Sequence, residues 1–422
     1  MEKSLRNKAA NFKYWLLIIS SFIMYIMLTS SKNLYTSNKT TFYTLGTFGN
    51  LADIASTLEY YFYSYAIMQL CLVFFVKKVN VKWFLTITIG TSAILTILVA
   101  FTSTIIHHYI IYTVNGALQA GIWGCILKNL SKYLPRNFLA KGNGLMSAGP
   151  ASAYTLSYLV AALFGENWSF PFIVLGVILL ISVFVYFFAV TLVSKINYNA
   201  ETYTANDKEI LDEKPLLQLR TKSNVLVFYG ISVLIGFIIT SVYSMLNNNV
   251  DFFLKEIGNL TNSQCKLLTI IATVSTAIGP IFTVILCEKH KNFIFVGGTL
   301  CAISSVFLLL LTLFFEVNVI LSLLLFVIFL IISNGARSIS LSIAALKERS
   351  VIDTGTYTIA VNSFASIAMG FAPKFMSTIL DNPTLTISQS WRLSFTICLV
   401  ALVALSALLF VIGYISNRRN KI

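Results

Sequence analysis

Ionisable residues are scarce in this chain. Only 11% of its 422 residues are charged, and only three, His107, His108 and His290, are histidines. That scarcity excludes several chemistries. No H-E-x-x-H helix is present to hold zinc, and no G-x-x-x-x-G-K-[ST] loop to cradle nucleotide phosphates. The pair His107–His108, expected at the boundary between two membrane spans, cannot chelate jointly because consecutive helical positions diverge by ~100°. Six cysteines (Cys71, Cys125, Cys265, Cys287, Cys301, Cys398) lack C-x-x-C spacing and read as small packing residues rather than a disulfide or metal framework. Neither an enzymatic centre nor a cofactor or metal is expected.

Apolar residues are abundant instead. They make up 57% of the chain and give a mean hydropathy of +0.81, too high for a soluble globular protein. Runs of about 20 apolar residues, enough to cross a hydrocarbon core, recur from end to end. Twelve are read: 14–36, 51–76, 82–103, 104–130, 139–164, 169–193, 223–249, 264–287, 293–315, 317–346, 353–380 and 390–415. The fold class is therefore all-α, a polytopic membrane protein. The first run is too long for a signal peptide and lacks a clear cleavage site, so it is expected to stay.

A net charge of +14 invites a nucleic-acid reading, but the distribution of the bases opposes it. Counting along the twelve spans, 24 of 30 basic residues fall on one side of the membrane, leaving Lys32, Lys39, Lys255, Lys266, Lys374 and Arg392. The positive-inside rule then puts both termini in the cytoplasm, with the plasma membrane the expected location. The sequons at Asn38, Asn167 and Asn259 would fall in outer loops.

One long hydrophilic segment, 194–222, divides six spans from six. Three units are expected: a first bundle over 1–193, the charged cytoplasmic linker, and a second bundle over 223–422. The halves repeat each other. "NGALQAGIWG" from Asn115 and "NGARSISLSI" from Asn334 begin alike at an offset of 219, which also carries Lys128 onto Lys347, Asn143 onto Asn362 and Ser147 onto Ser366. Because the offset maps span four onto ten and five onto eleven, both copies have the same orientation. Parallel repeats of this kind build two pseudo-equivalent bundles around a solute path.

Twelve spans, a six-plus-six division and a charged central loop resemble the major facilitator superfamily. After span eight, "GPIFTVILCEKHK" is similar to that family's loop motif, while "FFVKKVNVK" after span two keeps only the bases. In span four, "GALQAGIWG" followed by Lys128 resembles the G-x-x-Q-x-x-x-W pattern of the organophosphate:phosphate antiporters. "SSKN" in span one is similar to their Arg-Lys-Asn stretch, with Ser31 in place of arginine. The resemblance implies a monomeric carrier working by alternating access, with spans one, four, seven and ten around a central cavity.

The candidate site follows. Asn115, Gln119 and Trp123 share one helix face at i, i+4, i+8. Asn334, Ser338 and Ser342 repeat the stripe, with Arg337 beside it, and Asn362 joins through the repeat. Interhelical hydrogen bonding is the alternative role for such residues. Charges inside spans are costly and mark sites: Lys32, Glu59, Lys374 and Arg337. Lys32 either binds substrate or neutralises Glu59, and Arg337 lies nearer the cytoplasmic end. Gly149–Pro150, Gly279–Pro280 and Ala372–Pro373 are candidate bends. The excess of positive charge favours a small organic anion, an organophosphate or carboxylate, coupled to a proton or to counter-transported phosphate. A neutral metabolite such as a sugar, or a transport-inactive sensor with the same fold, is the alternative.

Overall fold

The computed structural model describes residues 2–75, 80–195, 222–290, 292–340 and 354–419. Most of the central hydrophilic segment, the loop after span two, Ser342 and Lys347 lie outside the described residues. Sixteen helices make up the described chain, and no strand occurs among the described residues. They are α1 (Glu2–Leu45), α2 (Leu51–Phe75), α3 (Val81–Val99), α4 (Ile105–Gln119), α5 (Ile122–Tyr133), α6 (Arg136–Ser147), α7 (Gly149–Phe164) and α8 (Ser169–Ser194). The second half carries α9 (Lys222–Asn247), α10 (Val250–Gly258), α11 (Asn262–Ser275), α12 (Ile278–Lys289), α13 (Phe293–Phe314), α14 (Val319–Ser338), α15 (Thr354–Leu380) and α16 (Ile387–Arg419). Joined across their breaks, the pairs α4–α5, α6–α7, α9–α10 and α11–α12 leave twelve passes.

Among the described residues, ten helical stretches are long and apolar enough to cross a membrane. The other two passes are α2, which carries Asp53, Glu59 and a run of tyrosines, and α6–α7, rich in Gly, Ser and Asn. Large side chains such as Phe74, Leu163 and Ile320 point outward, more than 70% exposed, as a surface facing lipid requires. Buried apolar residues segregate by half of the chain. One cluster spans Ile239 to Leu409, and two others draw their buried residues from Tyr14 to Val193. Leu51 and the partly buried Met369 are the crossings.

Several breaks follow the sequence. Gly121, at φ 70°, sits in the left-handed region that glycine tolerates, and there α4 gives way to α5. The breaks before Gly149 and Ile278 sit beside Pro150 and Pro280, whereas α15 runs through Pro373 without interruption. The repeat also has a packing reason. A Cβ on Gly116 would collide with the Tyr61 carbonyl of α2, and one on Gly335 with the Thr283 hydroxyl of α12. The two copies of Asn-Gly thus mark equivalent close helix crossings.

Two boundaries differ from expectation. α1 continues nine residues past the apolar run, to Leu45, and Ser37, Asn38, Lys39, Thr40 and Thr41 are all buried. Asn38 is therefore inside a packed helix and not in a loop, because the second half supplies partners for this polar stretch. The turn between passes three and four lies at 100–104. His108 falls inside α4, fully buried, its ring among Phe42, Phe48 and Trp168 and its Nδ1 bonded to the Tyr35 hydroxyl.

The two halves meet along α2 and α15 and between α7 and α11. No comparable packing joins α6 to α12, the continuations of the latter pair. The molecule is thus closed at the end bearing the α1–α2 turn, and its halves diverge on one side toward the N-terminal end.

Candidate functional site

Lys32 enters from the middle of α1 and Arg337 from the last turn of α14, so one cation comes from each half. They lie within electrostatic reach of each other. Lys32 Nζ sits 5.8 Å from the Tyr61 ring centroid and 5.4 Å from that of Phe62. The Arg337 guanidinium lies 5.2 Å from the Tyr243 ring, donates to Thr240 Oγ1 at 3.3 Å, and reaches Asn334 Oδ1 at 3.5 Å. Aromatic faces attract both cations, each contact worth about 0.5–2 kcal/mol. Among the described residues, no carboxylate forms an ion pair with either.

Both side chains lie deep between the halves yet are only half-buried, so they border an internal space. Tyrosines surround them. Tyr154 of α7 and Tyr243 of α9 are within electrostatic reach of Arg337. Tyr65 of α2 stacks on Tyr61 at 6.2 Å. Tyr25 of α1 meets Trp123 of α5 with ring centroids 4.9 Å apart. Two unneutralised cations in an aromatic wall with hydroxyl groups can hold an anion, because fixed positive charge replaces the hydration the anion loses.

The remaining candidates divide. Asn115 and Gln119 are buried and tie helices together. Ser92 Oγ donates to Asn115 Oδ1 at 2.5 Å, and Gln119 Nε2 donates to Ser92 Oγ at 2.8 Å and to Asn115 Oδ1 at 3.2 Å. Gln119 Oε1 accepts from the Tyr61 hydroxyl at 2.7 Å, so it orients a ring that lies under Lys32. Asn334 donates to the Thr276 carbonyl at 3.0 Å, where α11 breaks, and steadies Arg337. Ser338 donates to the Gly335 carbonyl of its own helix at 2.7 Å. Asn362 donates to Gln69 Oε1 at 3.1 Å across the halves and lies beside the Tyr65 hydroxyl.

Glu59 does not pair with Lys32. Its Oε2 lies 2.7 Å from Lys374 Nζ, joining α2 to α15 near the closed end, while Oε1 accepts from the Tyr63 hydroxyl. Of the two roles open to Lys32, the pairing with Glu59 is therefore taken by Lys374, whose ammonium is engaged in the Glu59 bridge. Sequence reasoning missed the tyrosines, since tyrosine occurs 20 times without a distinguishing spacing. It also missed Asp251, whose signal was a lone acid between the asparagine run Asn247–Asn249 and Phe252.

The architecture is that of an all-helical membrane protein whose halves meet around two half-buried cations. The profile of the Major Facilitator Superfamily matches residues 14–373, and the chain belongs to that superfamily. A search of curated proteins finds no match. Among solved structures, a bacterial homologue of the human lysosomal transporter Spinster, inward-facing and occupied, superposes with a TM-score of 0.74 at 14% identity, covering 95% of this chain and 96% of its own. Its inward-facing, unoccupied form gives 0.75 at 13% identity, covering 95% and 97%. The nucleoside transporter NupG gives 0.68 at 15% identity, covering 94% and 98%. At these identities the likeness concerns the fold.

Proposed function

We propose that this protein is a secondary carrier that moves a small organic anion by exposing the Lys32–Arg337 site alternately to the two sides of the membrane. The observation that carries this reading is the pair itself: like charges from opposite halves, without a carboxylate partner among the described residues. Holding two such cations together is unfavourable until something neutralises them, and an anion bridging both would draw the halves together. Closure at the α1–α2 end and divergence of α6 from α12 fit one of two alternating states.

The bias of basic residues supports cytoplasmic termini, which would make the closed end the outer one. The linker 194–222 then tethers two six-span units on the inner side. The same charge inventory is compatible with coupling either to a proton or to counter-transported phosphate. A neutral metabolite is the second reading, favoured by the Tyr25–Trp123 ring pair, since a flat uncharged solute can stack there.

Uptake into proteoliposomes of a panel of phosphate esters, carboxylates, sugars and nucleosides tests the proposal. Anion uptake abolished by Lys32→Gln and by Arg337→Gln supports it. Uptake of a neutral solute that survives both substitutions overturns it, and binding without accumulation would make the protein a sensor.

A further inference from the structure

Besides His108, three ionisable side chains outside the central site are almost completely buried toward the closed end: Lys39 of α1 at 2% exposure, Lys266 of α11 at 1% and Asp251 of α10 at 0%. Nearly every bond they make to another helix crosses between the halves. Lys39 Nζ donates to Asn249 Oδ1 and, at 3.0 Å, to Ser377 Oγ. Lys266 Nζ donates to the carbonyls of Ala161 and Gly165 at 3.2 and 3.3 Å and reaches Asn38 Oδ1 at 3.4 Å. Three oxygens surround this one ammonium, two of them at the C-terminus of α7. Asp251 Oδ2 accepts from the Thr40 hydroxyl at 2.6 Å, while Oδ1 is buried without a partner.

Asp251 lies within electrostatic reach of both lysines. The other titratable groups facing it are Tyr158 of α7 and Cys265 of α11, both neutral near pH 7 by their ordinary chemistry. Lys39 also senses Asp381, a partly buried carboxylate that accepts from the Ala52 amide at the start of α2. For Lys266, Asp251 is the carboxylate within electrostatic reach. Removing its charge would leave an ammonium enclosed between the halves with neutral oxygens alone, and would leave Lys39 with only Asp381.

Resting on the transport reading, we infer that Asp251 is a proton-binding site that locks the closed end. Ionised, it offsets the two buried lysines and holds the halves together there. Protonated from the side on which that end opens, it leaves the lysines to drive the end apart into water, where each is hydrated. Acid on that side therefore opens the carrier toward it. The proton needs no relay, because opening itself hydrates Asp251.

The test uses the full-length protein in proteoliposomes without substrate, so its outcome does not depend on which solute is carried. Leu51→Cys reports on the closed end, since Leu51 belongs to α2 but packs into the core of the second half. Its labelling by a membrane-impermeant maleimide, in a background lacking the exposed Cys71 and the Cys265 that faces Asp251, is divided by that of the exposed loop position Asn167→Cys, which cancels the pH dependence of the thiol reaction. The ratio is expected to rise as pH falls from about 8 to about 5. Asp251→Asn should give a ratio ~10-fold or more above wild type at the higher pH and remove the pH response. Adding Lys266→Gln to it should close the end again. Asp251→Glu, which keeps the charge if the asparagine variant folds poorly, should retain a pH response. A ratio independent of pH in the wild type, or a low ratio in folded Asp251→Asn, overturns the inference.

Discussion

Lys374 Nζ and Glu59 Oε2 stand 2.7 Å apart and join the two halves through α15 and α2, the lysine side chain 37% exposed and the glutamate 10%. The buried carboxylate makes losing the lysine costly. Lys374→Gln is expected to lower stability by about 1–2 kcal/mol and to reduce the melting temperature of detergent-purified protein. Glu59→Gln together with Lys374→Gln should recover most of the loss. A double mutant with Lys32→Gln in place of Lys374→Gln should not recover it.

Gln119 accepts a hydrogen bond from the Tyr61 hydroxyl, and both groups are buried. Gln119→Leu orphans that hydroxyl and should cost about 1–3 kcal/mol. Adding Tyr61→Phe removes the orphan and should restore much of the melting temperature. Anion affinity should change less in this double variant than in Lys32→Gln, because the charge at the site is kept. An affinity loss as large as that of Lys32→Gln would place Gln119 on the substrate.

Gly116 and Gly335 repeat at the offset of 219 and mark equivalent helix crossings. Gly116→Ala and Gly335→Ala should each destabilise by about 1–3 kcal/mol, the usual cost of overpacking. Gly124, also helical, has open space at its Cβ. Gly124→Ala should be neutral or stabilising by a few tenths of a kcal/mol, since alanine loses less backbone entropy. The comparison is read from thermal melts of the three variants. Equal behaviour at all three positions would contradict the crossings.

Asn38 is fully buried in α1, whereas Asn167 is exposed between α7 and α8. With the closed end held shut at neutral pH, a cysteine at 38 should resist a water-soluble maleimide that labels one at 167 within the same interval. Comparable labelling of both would mean that α1 ends near Thr36, as its hydropathy alone implies.

The sequence by itself determined the class of protein and most of its passes. A span needs only about 20 apolar residues in a row, and that is a local property which composition displays. The repeat of Asn-Gly at 115 and 334 was equally legible, since duplicated packing leaves duplicated residues. Lys32 and Arg337 stood out because charge is rare in such helices. What only the tertiary structure decided is which polar residue meets which. Glu59 went to Lys374 rather than Lys32, the polar stretch from Ser37 to Thr41 became helix because Asn249, Asp251 and Lys266 cover it, and Gln119 turned to Tyr61. Such choices depend on groups brought together from positions more than 50 residues apart, as between Tyr61 and Gln119, and more than 300 apart, as between Glu59 and Lys374. In a membrane interior a polar side chain must find some partner, but its own sequence neighbourhood does not say which.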